Sequence, residues 1–557
     1  MSSTPHGAWR GRRHSRRLLA GVGCVLAMGV VATSAQADSW HHGPGHRGGP
    51  LIPGNLLLST SDYVPANITP GVTELPPGCT GSACTAAIAD GTYPYVFNND
   101  TVDGSFGITS PIYLDELTPW GQVVGRIPVP TRDVVTSFSS KSELALNLST
   151  NGQDVTFMGY DAPVDGIDVS NSNTPGVIDS TNPITSADYR VVADLGRDGR
   201  WSSFTRTNAY SGNNGRAAIL NNATNQFYTA GNAGNGSNPQ PDGIIVGAGT
   251  QILSRSFVPE WFQSPGQPTP VGSFNITQLP ANKKTDKIGK DTNFRGLTIS
   301  GNVVYLTKGS GSNGINTVYF IDTTGKACPG TGVGVPQPGA KLPTSPIAYD
   351  PTLLQTDGVT PYNMCILAGF PTTLAKSATT GFPFGLWFAN PTTLYVADEG
   401  DGTATYSQST NTYTDAAAQT TAGLQKWVFG SPVAGQWNLA YTLQNGLNLG
   451  QPYTIPGYPT GTNSVTGLPW SPATDGLRNL TGHVNRDGTA TIWAITSTVS
   501  GSGDQGADPN KLVAVTDRLS AATRPAAEKL QTVKTARSGE VLRGVSFTPG
   551  TGTDSDR

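Results

Sequence analysis

The sequence predicts an all-β fold, a six-bladed β-propeller, and three observations support that prediction. A short strand–turn–strand unit recurs along the 557 residues. Apolar stripes with a helical period are nearly absent after the N-terminal segment. Each end of the chain also carries half of one such unit. Recurrence of a β unit every few tens of residues is typical of propellers, in which blades repeat around a central axis.

The clearest unit begins at Phe294. Its first strand runs to Ile299, its turn is Ser300-Gly301-Asn302, and its second strand is Val303–Leu306. Gly and Asn are the residues that a tight hairpin turn favours. Further units pair residues 142–146 with 155–158, 216–220 with 226–229, 384–388 with 394–397, and 477–481 with 490–496.

The two ends of the chain predict how the ring closes. Leu542–Phe547 is a first strand that no second strand follows, and Gly54–Ser59 is a second strand that no first strand precedes. Together they form one complete unit. We therefore expect the terminal strands to pair in one blade, because closure removes the exposed strand edges of an open sheet.

The number of first strands gives the number of blades. They begin at Ser142, Arg216, Arg295, Phe384, Arg478 and Arg543. These six starts predict six blades within a single domain over residues 53–557, with an insertion around 327–380. A seventh, irregular blade inside that insertion is the alternative.

The N-terminal segment predicts export. Arginines at 10, 12, 13, 16 and 17 precede an apolar run from Leu18 to Val31, and Ala35-Gln36-Ala37 is a small-residue cleavage site. Residues 1–37 are therefore predicted to be a signal peptide, of either the twin-arginine or the Sec type. Residues 38–52, rich in Gly and His, are predicted to be a flexible linker. The expected location is secreted or periplasmic, with no later span of the roughly 18 apolar residues that a membrane helix needs.

Cysteine usage agrees with an exported protein. Four cysteines follow the predicted signal peptide: Cys79, Cys84, Cys328 and Cys365. An even number in an exported chain predicts two disulfides. Cys79 with Cys84 and Cys328 with Cys365 is one of three possible connectivities, and the other two remain open.

Arginines mark the first strands. Four of the six carry one in the same register: Arg216, Arg295, Arg478 and Arg543. Radial symmetry would bring these guanidinium groups to one mouth of the central channel, with Asn479 beside them. Such a ring suits a carboxylate, sulfate or phosphate ligand. In the alternative interpretation, each arginine pairs with an acidic loop of its own or a neighbouring blade.

Acidic residues follow two of the second strands. Asp398, Glu399 and Asp401 lie in one loop, and Asp504 and Asp508 lie in the corresponding loop of the next blade. Carboxylates spaced by Gly are hard oxygen ligands of the kind that Ca²⁺ prefers, so one shared ion is a candidate cofactor. Ordinary Asp-Gly turn chemistry is the other interpretation.

One stretch resembles a known repeat. Leu394–Gly400 followed by Gly423–Trp427 resembles an NHL repeat, and the units are similar to those of gluconolactonase-like six-bladed propellers. In the latter group, a metal at the channel mouth polarises an ester carbonyl and activates water. The resemblance implies a cluster of Asp398, Asn479 and Asp504 at that mouth, although the family's ligand set does not match position by position.

His483 is the only histidine within the predicted propeller. Its place toward the far end of a first strand favours a hairpin histidine without a function over one that lines the channel. Trp387, Trp427, Trp437 and Trp493 lie in predicted strands, where packing between blades is expected. Stacking against a sugar is the alternative for these tryptophans.

The sequence thus predicts a secreted scaffold that binds a polar or anionic ligand at the channel mouth: a small molecule, a glycan or a cell-envelope component. A metal-dependent hydrolase or lyase acting on a lactone, ester or sugar acid is one alternative, and a structural or protein-interaction propeller is another. Charged residues make up 13% of the chain and the net charge is −3. These values do not predict a positively charged surface of the kind that binds nucleic acid. The protein is expected to be a monomer.

Overall fold

The computed structural model describes fifteen stretches of the chain. They are residues 49–62, 74–75, 85–86, 108–137, 144–175, 186–232, 249–256, 271–274, 293–309, 314–328, 331–344, 364–375, 381–463, 466–503 and 505–552. The predicted signal peptide, residues 38–48 of the predicted linker, Cys79, Cys84 and Asp504 lie outside these ranges.

Six sheets form the blades, antiparallel except for one parallel pair in blade four, and their strands are numbered in chain order. Blade one contains β1 (Leu56–Asp62), β2 (Ile112–Leu117), β3 (Val123–Pro128) and the last strand, β25 (Glu540–Phe547). Blade two contains β4 (Asn147–Leu148), β5 (Asp154–Asp161), β6 (Tyr189–Gly196) and β7 (Trp201–Thr207). Blade three contains β8 (Gly215–Asn221), β9 (Gln226–Gly231), β10 (Thr250–Ser254) and β11 (Val271–Phe274).

The other three blades follow the same plan. Blade four contains β12 (Leu297–Ser300), β13 (Val303–Lys308), β14 (Thr317–Ile321), β15 (Val333–Gly334) and β16 (Met364–Leu367). Blade five contains β17 (Pro383–Asn390), β18 (Thr393–Asp398), β19 (Gly423–Phe429) and β20 (Trp437–Leu443). Blade six contains β21 (Ala473–Val484), β22 (Thr489–Val499), β23 (Lys511–Arg518) and β24 (Gln531–Thr535).

Short elements lie outside the blades. Two-residue strands pair Glu74–Leu75 with Thr85–Ala86, Thr109–Ser110 with Thr136–Ser137, and Tyr406–Ser407 with Thr412–Tyr413. The helices are α1 (Thr414–Ala418) and a 3₁₀ turn at Val169–Asn171. Within the described ranges, no helix is both long enough and apolar enough to cross a membrane.

The six sheets form a closed ring, which confirms the predicted six-bladed propeller. The inner strands are β25, β4, β8, β12, β17 and β21, and each contacts the inner strands of both neighbouring blades. Two strands of the predicted insertion extend blade four: β16 is its fourth strand and β15 is its fifth. They pair in parallel with each other and form no separate sheet.

Ring closure is also as predicted. β25 pairs antiparallel with β1, and Leu56, Leu57 and Leu58 lie opposite Phe547, Ser546 and Val545. The leucines of β1 are fully buried, so the seam is part of the core.

The inner strand of blade two is less regular than predicted. Ser142, the expected start, lies outside the described residues, and regular pairing is limited to Asn147–Leu148. Leu144 has a left-handed backbone with φ of 45°, a conformation that interrupts an extended strand.

Hydroxyl groups of second strands connect neighbouring blades. Ser59 Oγ donates to Leu144 O at 2.9 Å, and Thr156 Oγ1 donates to Ala218 O at 2.6 Å. Thr307 Oγ1 donates in the same way to Phe384 O. Each bond reaches the inner strand of the next blade, so a buried hydroxyl satisfies a backbone carbonyl that the sheet itself leaves unpaired.

Glycines in the inner strands allow the blades to approach closely. A Cβ at Gly544 would lie 2.3 Å from Leu144 O, and one at Gly385 would lie 2.5 Å from Arg478 O. Both obstacles are backbone atoms of the neighbouring inner strand. Only glycine leaves room for this contact, which explains why it follows an arginine or phenylalanine in the inner strands of three blades.

Antiparallel order assigns every loop to one of two faces. We call the face where inner strands begin the start face, and the face where they end the end face. Loops from second to third strands lie on the start face, since Pro383 at the start of β17 pairs with Asp398 at the end of β18. Turns from third to fourth strands lie on the end face. Leu117 at the end of β2 is opposite Leu56, and Leu56 is opposite Phe547 at the end of the inner strand β25.

The disulfide that the structure describes joins Cys328 to Cys365. Both cysteines are buried in blade four, and the bond encloses residues 331–344 of the predicted insertion. This pairing matches one of the three connectivities that the sequence allowed.

Candidate functional site

The four arginines lie at the inner strands, but they are buried. Their exposed fractions are 1% for Arg216, 8% for Arg295, 4% for Arg478 and 2% for Arg543. An anion in solution would therefore have little access to these guanidinium groups.

Contacts with neighbouring blades occupy two of these arginines. Arg216 Nη1 donates to Phe294 O at 3.0 Å and to the side chain of Asn293. Arg478 Nε lies 3.3 Å from Oε2 of Glu399, which belongs to blade five. Arg478 thus makes the ion pair with an acidic loop that the alternative interpretation describes.

A phenylalanine separates two of the cations. Phe384 occupies the inner-strand position that other blades fill with arginine, and it is fully buried. The guanidinium carbons of Arg478 and Arg295 lie 4.5 and 5.5 Å from its ring centroid. Cation–π attraction on this ring stabilises both charges inside the protein.

Asn479 also acts inside the ring. Its Nδ2 donates to Arg543 O at 2.9 Å, and the residue is 7% exposed. This bond connects the inner strands of blades six and one.

The acidic loop of blade five is organised by local hydrogen bonds. Asp398 accepts from the backbone N–H groups of Phe382 and Gly400 at 2.9 and 3.0 Å, and from Gln425 Nε2 at 3.0 Å. Burial raises the pKa of Asp398 to about 6. Asp401 is exposed and accepts from the N–H of Thr403, as in an ordinary Asx turn.

Asp508, in the loop of blade six, is surrounded by hydroxyl donors. It accepts from Tyr458 at 2.5 Å, Ser500 at 2.7 Å and Thr498 at 3.0 Å. Within the described ranges, no group of three or more His, Cys, Asp or Glu side chains is placed to hold a metal. Asp504, one of the five predicted ligands, lies outside those ranges, so the shared Ca²⁺ ion stays a prediction.

Asp475 is a buried acid that sequence reasoning missed. Its oxygens accept from Gln419 Nε2 at 2.5 Å, Gln505 Nε2 at 2.8 Å and Gly402 N at 2.9 Å. Burial raises its pKa to about 7, against the effect of these hydrogen bonds. Asp475 joins loops of blades five and six on the start face, and no motif in the sequence marks that role.

A pocket opens on the end face, in the groove between blades six and one. Its volume is about 610 Å³. Blade six contributes His483, Asn485, Thr491 and Trp493, which lie on either side of the β21–β22 turn. Blade one contributes residues that flank the terminal strands and the β2–β3 turn.

The β2–β3 turn holds Trp120 at the edge of this pocket. Trp120 is 77% exposed, although its turn is docked on blade six. Trp493 Nε1 donates to Pro119 O at 2.8 Å. At Gly121, where φ is +95°, a Cβ would lie 2.6 Å from Val533 O. A rigid turn therefore presents a large aromatic side chain to solvent.

Three more rings form the inner wall. Trp493 and Phe547 meet edge to face with centroids 5.5 Å apart, and His483 lies 6.1 Å from Phe547. Each pair joins blade six to blade one.

The polar groups of the pocket are uncharged amides, hydroxyls and backbone, apart from the imidazole of His483. Asn485 Nδ2 donates to the hydroxyls of Thr489 and Thr491, both at 2.9 Å. The Thr551 hydroxyl accepts from Gly54 N at 2.8 Å. None of the lining residues is Asp, Glu, Lys or Arg.

These observations alter two sequence interpretations. His483, expected to be a hairpin histidine without a function, lines a pocket, and so does Trp493. Trp120 was not singled out. Its position in a Thr-Pro-Trp-Gly turn could have indicated a functional role. Packing between blades does not require an aromatic residue in such a turn.

Comparisons with known proteins identify no family. No protein-family model matches the chain, and no curated protein matches it.

Solved structures give weak similarity only. An ulvan lyase, described as a polysaccharide lyase bound to -[GlcA(1-4)Rha3S]-, is 11% identical, covers 89% of this chain and 97% of its own, and has a TM-score of 0.29. Lignostilbene dioxygenase from Pseudomonas brassicacearum is 8% identical, with coverages of 90% and 94% and a TM-score of 0.29. A cobalt-substituted apocarotenoid oxygenase from Synechocystis is 9% identical, with the same coverages and a TM-score of 0.27. Such scores carry no argument, so the propeller assignment rests on the sheet topology.

Proposed function

We propose that this protein is an extracellular binding propeller whose end-face pocket takes a neutral saccharide unit of a glycan. The observation that carries the proposal is Trp120, 77% exposed on a turn that is fixed against the neighbouring blade. A large exposed aromatic side chain on a rigid support is a feature of binding surfaces.

The chemistry of the pocket supports this ligand class. A pyranose ring has an apolar face of C–H bonds and a rim of hydroxyl groups. The indole of Trp120 can cover the apolar face, while Asn485, His483 and Thr491 lie within the same pocket to meet the hydroxyls. A concave site with an aromatic wall and a few polar groups is the usual form of a small-molecule site.

Charge favours a neutral ligand over the anion expected from the sequence. The inner-strand arginines are buried, and no acidic residue, lysine or arginine lines the pocket. An anion would lose its hydration there, and no lysine or arginine lines the pocket to offset that loss. We therefore place the proposed ligand on the end face and not at the mouth with the arginines.

Export is part of the proposal. The Cys328–Cys365 disulfide suits an oxidising compartment, and the N-terminal segment has the composition of an export signal. A secreted or periplasmic location would expose the pocket to glycans of the cell envelope or its surroundings.

A glycan array probed with the purified exported protein, followed by calorimetric titration of each hit, tests the proposal. The matched variants are Trp120→Ala and Leu439→Ala, since Leu439 is 44% exposed on the outer strand of blade five. Removing an aromatic anchor commonly costs about 2 kcal/mol, roughly a thirtyfold loss of affinity.

We expect Trp120→Ala to weaken saccharide binding by that factor with an unchanged melting temperature, and Leu439→Ala to bind as the wild type does. An array on which the wild type retains no saccharide would refute the proposal, and so would equal affinities for the wild type and Trp120→Ala.

A further inference from the structure

A second cluster, none of whose members lines the pocket, brings an amine and two carboxyl groups together between blades five and six. Lys426 lies in β19, the third strand of blade five, and Asp517 lies in β23, the third strand of blade six. Lys426 Nζ is 2.9 Å from Asp517 Oδ2, and each side chain is only 1% exposed. The third member, Glu528, precedes β24 in blade six.

Tyrosines hold the carboxylate of Asp517 from both sides. The Tyr395 hydroxyl donates to its Oδ2, and the Tyr441 hydroxyl donates to its Oδ1. Two fixed donors on one carboxyl group are also what would stabilise the negative oxygen of a tetrahedral intermediate at its Cγ.

Glu528 is the second carboxyl group of the cluster and lies next to Asp517. Its Oε1 accepts from Arg518 N at 3.0 Å, whereas its Oε2 is buried and has no donor among the described residues. Burial and the hydrogen bond with Asp517 raise the pKa of Glu528 to about 7. Glu528 therefore retains its proton more readily than Asp517, whose pKa is lowered by its hydrogen bonds despite burial.

The amine is held in position by backbone carbonyls. Lys426 Nζ donates to Arg518 O at 2.7 Å and to Ala521 O at 3.1 Å, and it lies 3.2 Å from the Tyr441 hydroxyl. These contacts fix the nitrogen beside the Asp517 carboxyl group, a pre-organised geometry of the kind that accelerates an intramolecular reaction.

We propose that Lys426 and Asp517 condense to an intramolecular amide, with Glu528 as the proton-transfer group. The Nζ–Cγ bond forms and one Cγ–O bond of Asp517 breaks. Two protons from the Lys426 ammonium pass, through the Glu528 carboxyl group, to the departing oxygen, which leaves as water. The reaction is a dehydration, so atoms and charge balance without an oxidant, a metal or a second substrate.

The product would join blades five and six covalently through their third strands. Backbone hydrogen bonds do not connect those strands, because each belongs to its own sheet. An amide at this point would restrain separation of the two blades, and it would resist reducing agents that break the Cys328–Cys365 disulfide.

Peptide mass spectrometry of the intact exported protein, after reduction and trypsin digestion, tests the proposal. With the amide present, trypsin does not cleave after Lys426, and Leu512–Arg518 is absent as a free peptide. A branched species appears instead, in which 377–478 is joined to 512–518 with the loss of one water.

Two variants provide controls. Lys426→Arg keeps a cation but removes the nucleophilic amine, so Leu512–Arg518 should be released. Glu528→Gln keeps the shape of the side chain without an ionisable proton, and it should release the same peptide. Free Leu512–Arg518 at full yield from the wild type would overturn the proposal and leave Lys426 and Asp517 as a buried ion pair. A branched peptide from Glu528→Gln at wild-type yield would overturn the role of Glu528.

Discussion

Replacing Gly544 with alanine tests whether the ring is as tightly packed as the structure indicates. Gly544 lies in β25, the strand that closes the ring. An added Cβ would lie 2.3 Å from Leu144 O, 2.6 Å from Leu146 N and 3.0 Å from Ala145 Cα. All three are backbone atoms of blade two, so no side-chain rotation can relieve the overlap.

The cost follows from these contacts. Blades one and two would have to separate by about 1 Å, and overpacking of this kind costs roughly 1–3 kcal/mol. The same seam contains Ser59, whose hydroxyl accepts from Gly544 N at 2.7 Å and donates to Leu144 O at 2.9 Å. Losing a buried hydrogen bond adds about 1–3 kcal/mol, for a total near 2–6 kcal/mol.

Scanning calorimetry measures the effect. An unfolding entropy of about 2 cal/mol/K per residue means that 1 kcal/mol shifts the melting temperature of a ring this large by about 1 °C. We expect Gly544→Ala to melt about 2–6 °C below the wild type, and Gly385→Ala to behave similarly. Gly49→Ala is the control, because nothing lies within 4 Å of its Cβ position. A Gly544→Ala protein that melts with the wild type would refute the close packing of the inner strands.

Three further predictions concern buried charges and the disulfide. Glu399→Gln removes the charge opposite Arg478, so we expect a loss of about 3–5 kcal/mol in denaturant unfolding, partly recovered when Arg478→Met is added. Burial raises the pKa of Asp475 to about 7, above its unfolded value, so its contribution to stability is present at acidic pH and is lost as pH rises through about 7. Melting temperatures should therefore fall between about pH 4 and pH 7 and level off above that range, and Asp475→Asn should flatten that slope. Reducing Cys328–Cys365, which are 37 residues apart, should cost about 4 kcal/mol, measurable as a shift in the urea midpoint.

Much of the fold was predictable because the signals that specify it are local. The hairpin at Gly301 and Asn302 shows why: both residues have positive φ, 56° and 60°, as a tight hairpin turn requires. Each such turn between two apolar strands indicates one blade, and it does so from the local sequence alone. Closure was predictable because β1 and β25 each lacked a partner strand. The inner strand of blade two departed from prediction at Leu144, whose left-handed backbone no local signal indicates.

The candidate site was much less predictable, because it depends on contacts between distant parts of the chain. Pro119 and Trp493 meet across 374 residues of sequence, and only closure of the ring brings their blades together. The arginines illustrate a different difficulty. The sequence places them at the starts of inner strands, but a position along a strand does not reveal burial. Nothing local indicates that Phe384 would lie between Arg295 and Arg478.

The closing seam also constrains how the protein can fold. Gly544 and Ser59 bond directly although they are 485 residues apart in sequence, so blade one is incomplete until the last strand has been synthesised. Until then, β1 presents an unpaired edge, and the inner strand of blade six lacks its neighbour. Contacts of such long range slow folding and leave intermediates open to aggregation. We therefore expect a chain truncated before β25 to accumulate in an open form, in which an edge strand is available to pair with other chains.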